Sequence, residues 1–286
     1  MEKPVENDKV TATPIPGLPI FSDIISELEL PASEGVTLVK ETDGITIKEG
    51  NISNKFAHTI TLELPREYKG IIMMEEGGKY VPVPHKIINN EAKITVSKKG
   101  KIVLLEDNPV NLKDIEKNFF KKEIELLAKR GIVTGYENKF NPNATSSRAE
   151  YFTMLAKGLG LDKGQENKFV DAKGKWYESD VSALSELGFV SGDENGNANG
   201  SNLISRQEVF TVLGRLLEQF GYEATSNEIP FNDKDRVAGY AAPYVALLAE
   251  LNIVNGNNGN VNPTANITKG EIAKVLSLTL QKIGYM

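Results

Sequence analysis

The chain has no cysteine, which removes disulfides and thiol chemistry together. That absence fits a reducing cytosol. It fits equally a Gram-positive-type surface protein that folds outside the cell without oxidative help. Histidine is almost missing: His58 and His85 are the only two. A metal site needs three or four convergent ligands, so this pair reads as surface residues, and neither a metal nor a cofactor is expected. No apolar run approaches the ~20 residues of a membrane span. The net charge of −6 supplies no basic field, so nucleic acid is not an expected partner. Any anionic ligand has to be held by local groups. The opening "MEKPVENDKVTATPIPGLP" lacks the apolar stretch of a secretory leader. Residues 1–20 are expected to form a flexible segment, and if the protein works outside the cell the chain is expected to be a fragment or a mature form.

What is present falls into two halves. Residues 21–108 read as strands. "VTLVKETDGITIKE" holds two alternating segments about a turn at Asp43-Gly44. "HTITLELP", "KYVPVP", "AKITVS" and "KIVLLE" follow, separated by Gly, Asn and Lys. About seven short strands predict a small β-sandwich-like domain. Pro65, Pro82 and Pro84 belong at strand ends or edges, because proline donates nothing to a ladder. From about residue 112 the period becomes helical: Phe120, Ile124, Leu127 and Ala128 share one face, as do Tyr151, Met154, Leu155 and Leu159. The fold class expected is α+β and multidomain, with the two halves joined by the polar stretch "EDNPVN" at 106–111. A β half joined in this way should be separable.

The helical half repeats itself. "SRAE" at Ser147–Glu150 returns as "SRQE" at Ser205–Glu208 and as "TKGE" at Thr268–Glu271. Ser/Thr-x-x-Glu before an apolar periodic run is a capping box, in which hydroxyl and carboxylate satisfy free amides reciprocally. Capping does not explain the second position: Arg148, Arg206 and Lys269 place a cation against the helix dipole. These residues therefore have a further task. The phrase sits in a longer unit. An acidic residue, Asp114, Asp171 or Asp233, precedes an aromatic, Phe119, Trp176 or Tyr240. Twelve residues after the aromatic comes Gly131, Gly188 or Asn252, each suited to the positive φ of a helix C-terminus. Then "GIVTG", "GFVSG" and "NIVNG" end in Gly135, Gly192 and Gly256, and the capped helix follows. Each copy has about sixty residues and two substantial helices, too little for a core of its own, so the three should pack as one unit.

The pattern F-x-D, aromatic, G-I-V-x-G, N-P-x-A, S-R-A-E resembles the S-layer homology module, three times over. The copies are expected at 109–165, 166–226 and 227–286. The first is nearest the family pattern; the second lacks Asn-Pro, and the third has Lys269-Gly270 in place of Arg-Ala. The resemblance implies three mainly α-helical repeats around a pseudo-threefold axis, with grooves between neighbours. It implies an extracellular anchor that holds a surface protein on secondary cell-wall polysaccharide, a peptidoglycan-linked glycan carrying pyruvate in one branch of the family. Other surface-layer subunits are further candidate partners. The preceding β-rich segment resembles the β-module found upstream of such anchors.

The residues themselves suit that ligand. Arginine forks onto a carboxylate, a helix N-terminus offers amides to an anion, glycine lets a sugar approach backbone, and an aromatic ring gives a flat apolar surface. The glycan-binding candidates are therefore Arg148, Arg206, Lys269, Phe119, Trp176, Tyr240, Asp114, Asp171, Asp233, Gly135, Gly192 and Gly256. A core position at the interface between copies is the competing reading of the aromatics. A structural protein–protein module of a surface lattice, binding no glycan, is the competing function. "DENGNANGSNLI" hints at a calcium loop, but Ala198 and Ile204 stand where glycine and the bidentate glutamate belong, so a turn-rich loop is expected. No nucleophile–base constellation is legible, and no catalysis is expected.

Overall fold

The computed structural model describes residues 36–55, 57–66, 68–107 and 109–286. The segment 1–20, expected to be flexible, and residues 21–35 of the β half lie outside the described residues.

The described β half is built from β1 (Val36–Glu41), β2 (Gly44–Gly50), β3 (His58–Glu63), β4 (Ile71–Glu76), β5 (Lys79–Pro82), β6 (His85–Ile88), β7 (Glu91–Val96) and β8 (Gly100–Leu105). They form two antiparallel sheets, ordered β1-β2-β8-β4-β5 and β3-β7-β6. Ile45, Ile72, Ile102 and Leu104 of the first share a core with Ile60, Leu62, Ile94 and Val96 of the second, so the expected sandwich is there. The first hairpin pairs Glu41 with Gly44, leaving Thr42 and Asp43 in the loop, one residue earlier than the sequence suggests. Pro82 ends β5, the last strand of its sheet, where a missing donor leaves no ladder bond unmade.

The helices are α1 (Lys121–Lys129), α2 (Arg148–Gly158), α3 (Glu178–Glu186), α4 (Arg206–Gln219), α5 (Ala242–Glu250) and α6 (Lys269–Lys282). The described chain is thus an α+β mix with its sheets first. One buried cluster runs from Ile115 through Tyr151, Phe210 and Leu248 to Leu280, so the three copies share a core, as their size requires. Gly131, Gly188 and Asn252 have φ of 70°, 80° and 58°, the left-handed geometry that ends a helix. Pro243 lies in the first turn of α5, where its missing N–H costs no helical bond.

The two halves meet along a seam, which the polar linker alone does not suggest. Ser97 Oγ donates to the Gly160 carbonyl at 2.5 Å. The Asp162 amide donates to the Asn54 side chain at 2.7 Å, and Asn54 Nδ2 returns a bond to the Asp162 carbonyl. The His85 amide donates to the Tyr285 carbonyl at 3.2 Å. His85 is not a surface residue: it is 3% exposed. Its Nδ1 lies 2.9 Å from the Val83 carbonyl. Burial, with Arg130 beside it, depresses its pKa from 6.5 to about 3, so His85 is neutral at this seam.

Candidate functional site

All three repeated phrases form capping boxes. Glu150, Glu208 and Glu271 each take the amide of their own cap residue on one oxygen, at 2.9, 2.8 and 2.9 Å. The other oxygen of each faces a different copy. Arg148 of the first copy pairs with Glu208 of the second, and Arg206 of the second with Glu271 of the third. Lys269 of the third returns to Glu150 of the first at 2.6 Å. The contacts therefore close into a ring. This is the further task of the cation: it answers a neighbour's carboxylate more strongly than the local dipole opposes it. Each arginine Nε also donates across the same boundary, Arg148 to the Ala198 carbonyl at 2.8 Å and Arg206 to the Val261 carbonyl at 2.7 Å. Their guanidinium carbons stand 5.3 Å from the ring centroids of Phe152 and Phe210. Lysine has no fork, and the only side-chain hydrogen bond of Lys269 among the described residues is the one to Glu150.

Backbone bonds close the same ring. Ser146, Ile267 and Ile204 are fully buried. Ser146 N donates to Ile267 O, Ile267 N to Ile204 O, and Ile204 N to Ser146 O, all at 3.1 Å. The first two amides of α2, α4 and α6 are occupied as well: Arg148 and Ala149 donate to Asn202 and Gly200, Arg206 and Gln207 to Ala265 and Pro263, Lys269 and Gly270 to Ala144 and Pro142. The helix N-termini expected to receive an anion instead hold the copies together. Gly270 is explained here too, since a Cβ at this residue would lie 2.5 Å from the Phe120 ring.

The aspartates and glycines are also turned inward. Asp114 accepts from the amides of Phe140 and Asn141, Asp171 from Ala198 and Asn199, Asp233 from Val261 and Asn262, at 2.7 to 2.9 Å. Asn141, Asn199 and Asn262 have φ of 57°, 55° and 51°, so each carboxylate clamps a left-handed turn. Both oxygens of each are engaged within the copy. A Cβ on Gly135, Gly192 or Gly256 would meet Leu112, Phe169 or Phe231 at 2.5 to 2.8 Å. The close approach that these glycines allow is made by the copy's own apolar side chain. Asp193, in the calcium-like stretch, accepts from the amides of Asn195 and Asn197 and from Asn199 Nδ2. Those bonds lower its pKa to about 2, and the stretch is the turn-rich loop that its sequence suggests.

The aromatics point outward: Phe119, Trp176 and Tyr240 are 81%, 37% and 55% exposed. Their neighbours Tyr177 and Ala241 are buried instead. Each exposed ring comes together with the cation of another copy. Phe119 of the first copy, Arg206 of the second and the Asn255–Asn257 loop of the third line a groove of about 500 Å³. Lys274 stands over the Phe119 ring at 5.5 Å. Trp176, Lys269 and the Ile132–Thr134 segment line the corresponding place between other copies, where only about 40 Å³ is open. Tyr240 completes the set: burial and Glu208 raise its hydroxyl pKa while Arg148 opposes them, so it lies in the field of that ion pair. Of the predicted residues, the aromatics and cations thus converge at the boundaries between copies. The asparagine-rich loop and Lys274 were missed; the amides "NGNNGN" beside Gly256 were the available signal.

Comparison with known proteins agrees. The S-layer homology domain family matches residues 111–152, 156–210 and 230–273. An amylopullulanase of Thermoanaerobacterium thermosulfurigenes is 34% identical over 177 residues, 60% of this chain and 10% of that protein. The exoglucanase XynX of Acetivibrio thermocellus is 32% identical over 60% of this chain and 16% of its own. The S-layer protein sap of Bacillus anthracis is 29% identical over 56% of this chain and 20% of its own. The chain thus spans between a tenth and a fifth of the length of these relatives. Through three domains in its helical half, it belongs to the S-layer homology family, and one of these relatives is an S-layer protein.

Proposed function

We propose that the chain is a non-enzymatic, non-covalent anchor, and that the three repeats, related by a pseudo-threefold axis, hold secondary cell-wall polysaccharide in the grooves between them. The cyclic ion pairs support the pseudo-threefold reading, because each copy offers its cation to the next and its carboxylate to the previous one. The observation that carries the function is the groove of about 500 Å³ where Phe119, Arg206 and the Asn255–Asn257 loop meet. An exposed ring suits an apolar sugar face, asparagine amides suit hydroxyls, and Lys274 with the remaining guanidinium donors suits an acidic substituent such as ketal-linked pyruvate. A volume of this size falls in the ordinary range for a small-ligand site, whereas the opening of about 40 Å³ at Trp176 does not. The reading therefore names the Arg206 groove as the principal site.

The test is co-sedimentation of the chain with purified sacculi, with and without their attached polysaccharide. Binding that depends on the polysaccharide supports the anchor. Equal binding to both preparations would contradict it. Failure to bind either, together with self-assembly of the chain, would favour the lattice module without glycan.

A further inference from the structure

The seam between the β half and α1 holds an open cleft of about 330 Å³. It is lined from both halves: Ile71, Lys86 and Ile87 on one side, Leu126 and Arg130 on the other. Its lining carries three cations, Lys86, Lys129 and Arg130, beside Asp107 and the terminal residue Met286. Lys129 is answered by Asp107, but among the described residues no carboxylate lies within ion-pair distance of Arg130 or Lys86. Arg130 donates to the His85 carbonyl at 2.8 Å through NH1. The same nitrogen lies 3.3 Å from the ring of His85, whose neutral state keeps a second positive charge out of the cleft. Burial lowers the pKa of Arg130 to about 10, still far above neutrality, so the guanidinium stays charged in a partly dry place. Arg130 is half-buried, and a partly desolvated cation without a counter-charge is costly. Here Arg130 lines an open space large enough for a monosaccharide.

We propose that this cleft is a second binding site, separate from the grooves of the ring, and that it takes the anionic group of an acidic sugar between Arg130 and Lys86. A carboxylate or a phosphate satisfies the same chemistry, since the guanidinium fork matches both. Ile71, Ile87 and Leu126 supply the apolar wall against which the sugar ring lies. The β half then contributes to ligand binding and is not only a spacer before the repeats.

The test is methyl NMR of the full chain, labelled at Ile and Leu and titrated with glucuronate, glucose 6-phosphate and glucose. Glucuronate and glucose 6-phosphate separate the two sources of negative charge, and glucose controls for neutral sugar. The expected result is saturable shifts at Ile71, Ile87 and Leu126 for at least one acidic sugar, with a dissociation constant on the order of 1 mM or tighter. Glucose is expected to give none, and Ile253, in the ring groove, to stay unmoved. Arg130→Gln should weaken binding at least tenfold. Because Arg130 also holds the His85 carbonyl, Lys86→Gln is the second variant: it leaves that bond intact and should weaken binding severalfold without lowering Tm. The proposal is overturned by equal shifts with glucose, by shifts confined to Ile253, or by acidic-sugar binding that neither variant changes. It is also overturned if the chain responds only once Met286 is followed by a short Gly-Ser extension, for then the terminal carboxylate is the missing partner.

Discussion

Glu208 takes the Ser205 amide on one carboxylate oxygen and Arg148 on the other, so a single side chain caps its own helix and ties down its neighbour. The capping half of that arrangement was legible, because it spans four residues. The ring half was not: Arg148 and Glu208 lie 60 positions apart, and only the shared core brings them together. The misfit of a cation in a first helical turn was the visible trace of it. This changes what substitution does. Arg148→Ala removes a charge-assisted pair, a bond to Ala198 and a stacked contact on Phe152, so it should destabilise by about 2–3 kcal/mol. In a unit of this size that lowers Tm by ~5–10 °C. Lys269→Ala, with one bond to lose, should cost less; equal melting of parent and Arg148→Ala would refute the role. His85 makes the second prediction at this scale. Its folded pKa, about 3, lies below its unfolded value near 6.5. The folded state therefore resists a proton that the unfolded chain accepts, and the contribution is present above pH 6.5 and lost as pH falls toward 3. Between pH 6.5 and 5 the loss is about 2 kcal/mol. Denaturant melts of parent and His85→Gln at the two pH values check it: the variant should show the smaller decline.

Strands whose two faces meet different surroundings were readable, whereas β4, buried on both faces, was not. β3 and β7 alternate buried and exposed positions, and both appear in the sequence as strands. β4 reads "IIMMEE": Ile72 and Met74 enter the sandwich core while Ile71 and Met73 join a separate buried cluster with Val103 and Leu105. A strand covered on both sides carries no period-2 signal; β8 is covered likewise and was read from its apolar run alone, whereas β4 escaped. The helices were legible through their caps and faces, but their mutual packing depends on small residues that no pattern marks. Gly214 of α4 is one. Alanine is favoured over glycine inside a helix by about 1 kcal/mol. A Cβ at residue 214 would nevertheless lie 2.3 to 2.6 Å from Cδ1, Cβ and Cγ of Tyr244 on α5, atoms near the root of a stiff side chain. Overpacking of this kind costs ~1–3 kcal/mol, so Gly214→Ala should lower Tm despite its better propensity. A higher Tm would show that α4 and α5 can part freely.

At the scale of the whole molecule, the ring and the seam bind the chain into a larger unit than its motifs suggest. The repeat made the shared helical core predictable. The seam was unreadable because it joins Ser97 to Gly160 and His85 to Tyr285 by backbone carbonyls, which leave no mark on side-chain pattern. Gly160 meets Pro84 so closely that a Cβ there would stand 2.3 Å from its ring. Deleting residues 1–108 should therefore lower the melting temperature of the helical part, and an unchanged melt would mean that the seam contributes nothing. The central claim, that the open groove between repeats holds the wall glycan, is tested most directly through Phe119. It lines that groove and is 81% exposed, so Phe119→Ala separates binding from folding in a way that the ion-paired arginines cannot. The measurement is calorimetric titration of parent and Phe119→Ala with a pyruvylated wall disaccharide, beside their melting curves. The expected result is affinity about tenfold weaker, as for loss of one stacked contact of ~1–2 kcal/mol, at an unchanged Tm; equal affinity for parent and variant would contradict the groove as the site.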